Sequence, residues 1–182
     1  MTDVARRAGV SRMTLYRSFP DIATVLKALM TREFEAFISA VSEDVSSIPT
    51  ARGRLVESAV ACVERLPEHP LFQRVLDVDP ELIVPYVIDR LGTTQRFAVG
   101  VFGMLLAEGR ADGSIDVGDR DVAAYCLQLA LQSFVFSARI TDKEHPRSLV
   151  SNELRKLLNG YLAPVTGAGD GAVDRRLDVV IG

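Results

Sequence analysis

Ser11, Arg12, Met13, Thr14, Tyr16 and Arg17 crowd one short stretch near the amino end, and Arg6 stands just ahead of them. Guanidinium groups, hydroxyls, a phenol and a thioether together offer charge-assisted donors for phosphates, mixed donors and acceptors for base edges, and an apolar contact. That is the chemistry of reading a nucleic-acid duplex. It works only if these side chains leave one rigid face, and the segment DVARRAGVSRMTLYRSF, residues 3–19, has the elements to hold them. Val4, Ala5 and Ala8 form the apolar side of a first helix, with Arg6 and Arg7 opposite. Gly9 stops that helix, since a left-handed C′ position costs glycine nothing. Ser11 is a natural N-cap for a second short helix, Arg12 to Phe19, whose inward contacts are Leu15 and Phe19. Such a pair suits a second helix lying in a major groove. Arg12 and Met13 would then meet base edges, while Thr14, Tyr16 and Arg17 serve phosphates and orientation.

The run AGVS followed by TLYRSF, then Pro20 and a long amphipathic helix, resembles the tetracycline-repressor (TetR) family of bacterial transcriptional regulators. The resemblance is strong over residues 3–34 and architectural beyond them. It implies an all-α fold, with a helix-turn-helix joined to a helical ligand-binding and dimerisation domain. It also implies a cytoplasmic homodimer on a double-stranded DNA operator, a small-molecule inducer, repression as the usual sign, and no cofactor. The opening DVARRAGVS also looks like the lactose-repressor family, but that family's recognition helix and large α/β sugar-binding domain do not follow.

Two departures qualify the resemblance. Members of the family begin with a further helix that packs across this pair and completes a three-helix DNA-binding domain. Here Met1 falls in the first turn of the second of those helices, so Val4, Ala5, Leu15 and Phe19 are expected to lose part of their cover. Either translation starts upstream of this Met1, or the chain is a truncated protein with weakened DNA binding. The second departure is Ile22, where the family usually carries a phosphate-binding Lys. Binding should therefore depend less steeply on salt, by about one phosphate contact. Both departures motivate an alternative: a helical ligand-binding or dimerisation protein with lost or weakened DNA binding.

Residues 21–46 give the clearest long helix, with apolar residues from Ile22 to Val45 recurring at threes and fours and Asp21 as its cap. Further helices are expected from Thr50 or Ala51 to Leu66, from about Pro70 to Leu76, and from Pro80 after an Asp79 cap. Others should run from Thr93 to Glu108, from an Asp119 cap to Ile140, and from Pro146 to Leu162. No strand or internal repeat is evident. The division that follows is a helix-turn-helix region over 1–34, a regulatory and dimerisation domain over 35–164, and a flexible tail over 165–182.

The helix from Asp119 is apolar around most of its circumference, so it must be buried on more than one side. The resemblance implies that it and the last helix form a four-helix bundle with a second copy. Leu127, Leu131, Phe134, Val135, Leu154, Leu157, Leu158 and Tyr161 are the candidate interface. For an inducer pocket, aromatics with a few amides suit an apolar ligand with one polar handle. Phe72, Tyr86, Phe97, Phe102, Met104, Tyr125, Gln128 and Gln132 are the candidate lining.

At 182 residues, a net charge of −3 and 48% apolar content, the chain has ample core, and its basic head sits on an acidic body. It has no run of 18 apolar residues and no signal peptide at its start. Cys62 and Cys126 read as small buried hydrophobes with free thiols. His69 and His145 lack neighbours at metal-ligand spacing. No nucleophile elbow, P-loop or dinucleotide-binding glycine pattern is present, so nothing recommends an enzyme.

Overall fold

The computed structural model describes residues 1–78, 80–85 and 89–164, with only the backbone of Leu82. Among the described residues the chain is helical, without strands. The helices are α1 (Thr2–Arg7), α2 (Arg12–Ser18), α3 (Ile22–Asp44), α4 (Ala51–Arg65), α5 (Pro70–Val78), α6 (Thr93–Ala111), α7 (Arg120–Glu144) and α8 (Arg147–Leu162).

Short-range capping chemistry sets four of the starts. Ser11 Oγ accepts the Thr14 N–H at 3.0 Å, and the Asp21 carboxylate accepts both the N–H and the hydroxyl of Thr24 at 2.7 Å. Thr50 accepts from Gly53 N at 3.2 Å, and Asp119 accepts from the N–H groups of Asp121 and Val122 at 2.9 Å. Each side chain satisfies donors that the helix itself leaves without partners. Prolines act less uniformly. Pro67 lies within a 3₁₀ turn, Leu66–Glu68, that leads towards α5. Pro80 opens a 3₁₀ turn, Pro80–Leu82, and α-helical residues follow at Val84 and Pro85. The expected Asp79 cap and the tail over 165–182 lie outside the described residues.

Helix α4 is the hub. It packs against α3, α6, α7 and α8. Leu55, Val56, Ala59 and Val60 on α4 share a core with Phe34, Phe72, Leu106, Leu127, Leu154, Leu158 and Leu162. Each large side chain buried there stabilises the fold by about 1.5–3 kcal/mol. The turn after α6 closes over the start of α4. Asp112 accepts the Ala51 N–H at 2.8 Å, and Ser114 Oγ accepts the Arg52 N–H at 3.1 Å. Gly113 makes that turn with φ +74°, and Arg54 pairs with Glu108 at 2.6 Å beside it. At the opposite corner Arg147 bonds both Asp142 and Glu68 and donates to the Glu64 carbonyl, tying the α7–α8 turn to the end of α4. Gly109 lets the chain approach itself closely, because a Cβ there would stand 2.7 Å from Ile115 Cβ.

Two expectations need correction. Cys126 is exposed, not buried, because it lies on the outer face of α7. Cys62 is half-buried, and desolvation pushes its thiol up to about 12, so it stays protonated. Helix α7 is long and apolar enough by length and composition to cross a membrane. Its Ala124, Leu127, Leu131 and Val135, however, belong to the protein core.

Candidate functional site

Helices α1 and α2 pack on each other around Ala5 and Leu15, both buried, while Val4 and Phe19 are half-covered. Gly9 joins the helices at φ +67°, the left-handed geometry that its position requires. Val10 N–H donates to the Ala5 carbonyl at 3.1 Å and closes the turn. Ser11 does double duty, because its hydroxyl also pairs with the Thr14 hydroxyl at 2.8 Å. Thr14 is thereby held at the open end of α2.

The outer face of α2 has the expected composition. Arg12, Met13, Thr14, Tyr16 and Arg17 are exposed, Met13 at 80% and Tyr16 at 48%. An apolar side chain left this open and flanked by two guanidinium groups makes sense as a contact surface. Arg6 is exposed on α1 and bonds Asp3 at 3.0 Å, a surface pair that holds it only weakly. Helix α3 begins directly after this head. Ile22 is exposed in its first turn, where no charge is presented.

The same α3 forms one wall of a cavity of about 550 Å³ in the body. Its lining on α3 runs from Ala23 to Ser42 and includes Leu26, Met30, Phe34 and Phe37. Helix α4 contributes Ser58 and Cys62, α6 contributes Gln95 and Phe102, and α7 contributes Gln128, Gln132, Val135 and Phe136. Gln95 donates to Gln132 across the α6–α7 contact and accepts the Gly92 N–H at 2.7 Å.

The structure brings together part of the expected pocket. Phe72, Phe102, Gln128 and Gln132 line the cavity. Phe97, Met104 and Tyr125 do not: all three are exposed on the outer surfaces of α6 and α7. Tyr86 lies outside the described residues. The expected lining names no residue of α3, although that helix supplies much of the wall. Its signal was present in Met30, Phe34 and Phe37, which share a face at helical spacing.

Burial divides the expected interface residues. Leu127, Leu131, Val135, Leu154 and Leu158 are buried inside the single chain, and Phe134 packs against the same core. Phe134 keeps part of its surface open, whereas the four leucines and Val135 are covered by their own chain. Leu157 and Tyr161 are exposed as expected. The apolar residues left open are Val122, Tyr125, Leu129 and Ile140 on α7, with Leu149, Leu157 and Tyr161 on α8.

No family model matches the sequence. The chain is 34% identical over 162 residues to an uncharacterised HTH-type transcriptional regulator of Mycobacterium bovis, covering 89% of this chain and 82% of that one. A bacterial regulatory protein of the TetR family from Rhodococcus RHA1 shares its fold with a TM-score of 0.54 at 15% identity, over 89% of this chain and 85% of that one. The transcriptional regulator FadR from Bacillus subtilis, solved in complex with stearoyl-CoA, does so with a TM-score of 0.56 at 19% identity, over 88% and 87%. With its helix-turn-helix at residues 3–19 and its all-helical body, the chain belongs to the HTH-type transcriptional regulators and shares the fold of a TetR-family protein.

Proposed function

We propose that this regulator works as a cytoplasmic homodimer that represses transcription and releases its operator when a small apolar molecule enters the body cavity. In this reading α2 lies in the major groove. Arg12 and Met13 meet base edges, and Arg6, Ser11, Thr14, Tyr16 and Arg17 serve phosphates and orientation. Residues 1–34 act as the reading head and residues 35–164 as the sensing and pairing body. One short helix reads few bases, so two heads across a dyad are needed for a specific site. The open apolar residues of α7 and α8 support pairing through those helices.

One observation carries the ligand response. The helix that walls the cavity from Ala23 onward is the helix that starts just after α2 ends at Ser18. Anything seated against Leu26, Met30 and Phe34 pushes on the support of the head. A ligand shifts DNA affinity only as far as it binds the two tilts of α3 unequally. The Bacillus subtilis regulator's complex with stearoyl-CoA supports a small-molecule partner for this chain as well. Met30→Trp, which fills the cavity without touching the DNA face, tests the coupling. Its affinity for a selected duplex should differ from that of the wild type by fluorescence anisotropy. An unchanged affinity in a folded Met30→Trp protein would sink the coupling.

A further inference from the structure

Gln128 is unusual among the cavity residues. Its side chain is only 9% exposed, and among the described residues its amide has no hydrogen-bond partner. Among the described residues His69 Nδ1 is the one fully buried side-chain polar atom without a partner, so the Gln128 amide is not sealed off but faces the cavity with its hydrogen bonds unused. The neighbouring polar groups do not relieve it. Ser58 donates its hydroxyl to the Leu55 carbonyl of its own helix, and Gln132, one turn along α7, is engaged by Gln95. Gln128 lines the cavity, so a guest molecule can supply what the protein withholds.

Charge narrows what that guest can be. Lys27, Glu81, Arg90 and Arg96 are the charged residues among the described lining, and all four are exposed. The buried polar lining around Gln128 consists of hydroxyls, amides and the protonated Cys62 thiol. A carboxylate or phosphate drawn to that depth would lose its hydration and find no cation. An amide, by contrast, offers both a donor and an acceptor to a neutral group. Shape narrows it further. The α3 wall from Ala23 to Ser42 is roughly 28 Å long, which gives an elongated guest a long face to lie against.

We propose that the Gln128 amide is the polar anchor of the cavity, and that its ligand is an uncharged, elongated, largely apolar molecule presenting a carbonyl, amide or hydroxyl to it. The proposal rests on the reading of the cavity as a ligand site. An acid with its tail inside and its head among Lys27, Arg90 and Arg96 at the mouth is the competing arrangement.

Displacement of Nile red from the full chain, using decanamide and decanoate as matched probes, tests it. Wild-type protein should take up the dye, and decanamide should displace it better than decanoate. Gln128→Leu should weaken decanamide by about five- to tenfold, the worth of a lost neutral hydrogen bond, with each affinity corrected for the dye affinity measured on the same variant. Gln128→Met is the second variant should the first fold poorly, and circular dichroism checks both. Decanoate binding as tightly as decanamide, or a decanamide affinity untouched by either substitution, would overturn the anchor and leave the cavity reading standing. Failure of the wild type to take up dye or either probe would overturn both together.

Discussion

Phe34 of α3 and Phe72 of α5 meet edge to face with ring centroids 6.1 Å apart, and both rings line the cavity. Phe72 then stacks on Phe136 of α7 at 5.8 Å. An aromatic row thus runs across the body from the helix that carries the head to the helix that carries the amides. Phe34 stands twelve residues after Ile22, so roughly 18 Å of stiff helix separates the row from the first turn of α3. In the proposed coupling, a small change in packing at the row would tilt the head.

Phe34→Ala should remove one end of that row. Because Phe34 is buried in the core cluster, the expected loss is about 3–5 kcal/mol of stability by urea denaturation. Phe37→Ala, at a half-buried position one turn along, should cost clearly less. Equal losses would mean that the row does not key α3 into the body.

Ile22→Lys should add a phosphate contact at the start of α3, where Ile22 is exposed. In a plot of log affinity against log salt, the slope should steepen by about 0.9. Measured by anisotropy on a fixed duplex, an unchanged slope would show that this turn stands clear of the DNA backbone.

How much of this was legible in the sequence depends on the range of the interaction. Ser11, Asp21 and Asp119 act within three residues of themselves, so their caps, and the helices they start, were readable directly. Gly9 was readable for the same reason. The facing of α7 was not. Apolar residues surround it, so composition could not separate its inner from its outer side. Tyr125 was placed inward and Leu127, Leu131 and Val135 outward, and the structure has them the other way round. The pair Gln128 and Gln132 marked the cavity face all along, because residues four apart share one side of a helix. On α6, Phe97 and Met104 looked like core for their size alone, yet both face outward beside Gly100, which has open space around it.

Leu157→Arg should convert the proposed homodimer to monomers in sedimentation at micromolar concentration while keeping the helical content. Leu157 is 63% exposed, so the substitution leaves the core of one chain alone. Leu154→Arg, three residues earlier and 2% exposed, should unfold the protein by burying an unpaired charge. A Leu157→Arg protein that sediments as the wild type would remove α8 from the interface.

The Asp112 carboxyl is held below its ordinary value of 3.8, first by the Ala51 N–H and then by the hydroxyl and N–H of Ser114. A group whose value is depressed on folding stabilises the protein above the unfolded value and stops doing so as pH falls through the folded one. The melting temperature of wild type should therefore exceed that of Asp112→Ala by a constant margin near neutrality. That margin should shrink once the pH drops below 3.8. A margin unchanged from about pH 6 to about pH 2 would mean that the charge contributes nothing to the closure of α4.

Selection of duplexes from a random library by the full chain, followed by anisotropy with the winning sequence, addresses DNA reading most directly. Enrichment of an inverted repeat is expected, with binding lost in Arg12→Ala and Tyr16→Ala, whose side chains are exposed on α2 and make no hydrogen bond or ion pair among the described residues. No enrichment, or equal binding by wild type and both variants, would contradict the assignment of α2 to the major groove.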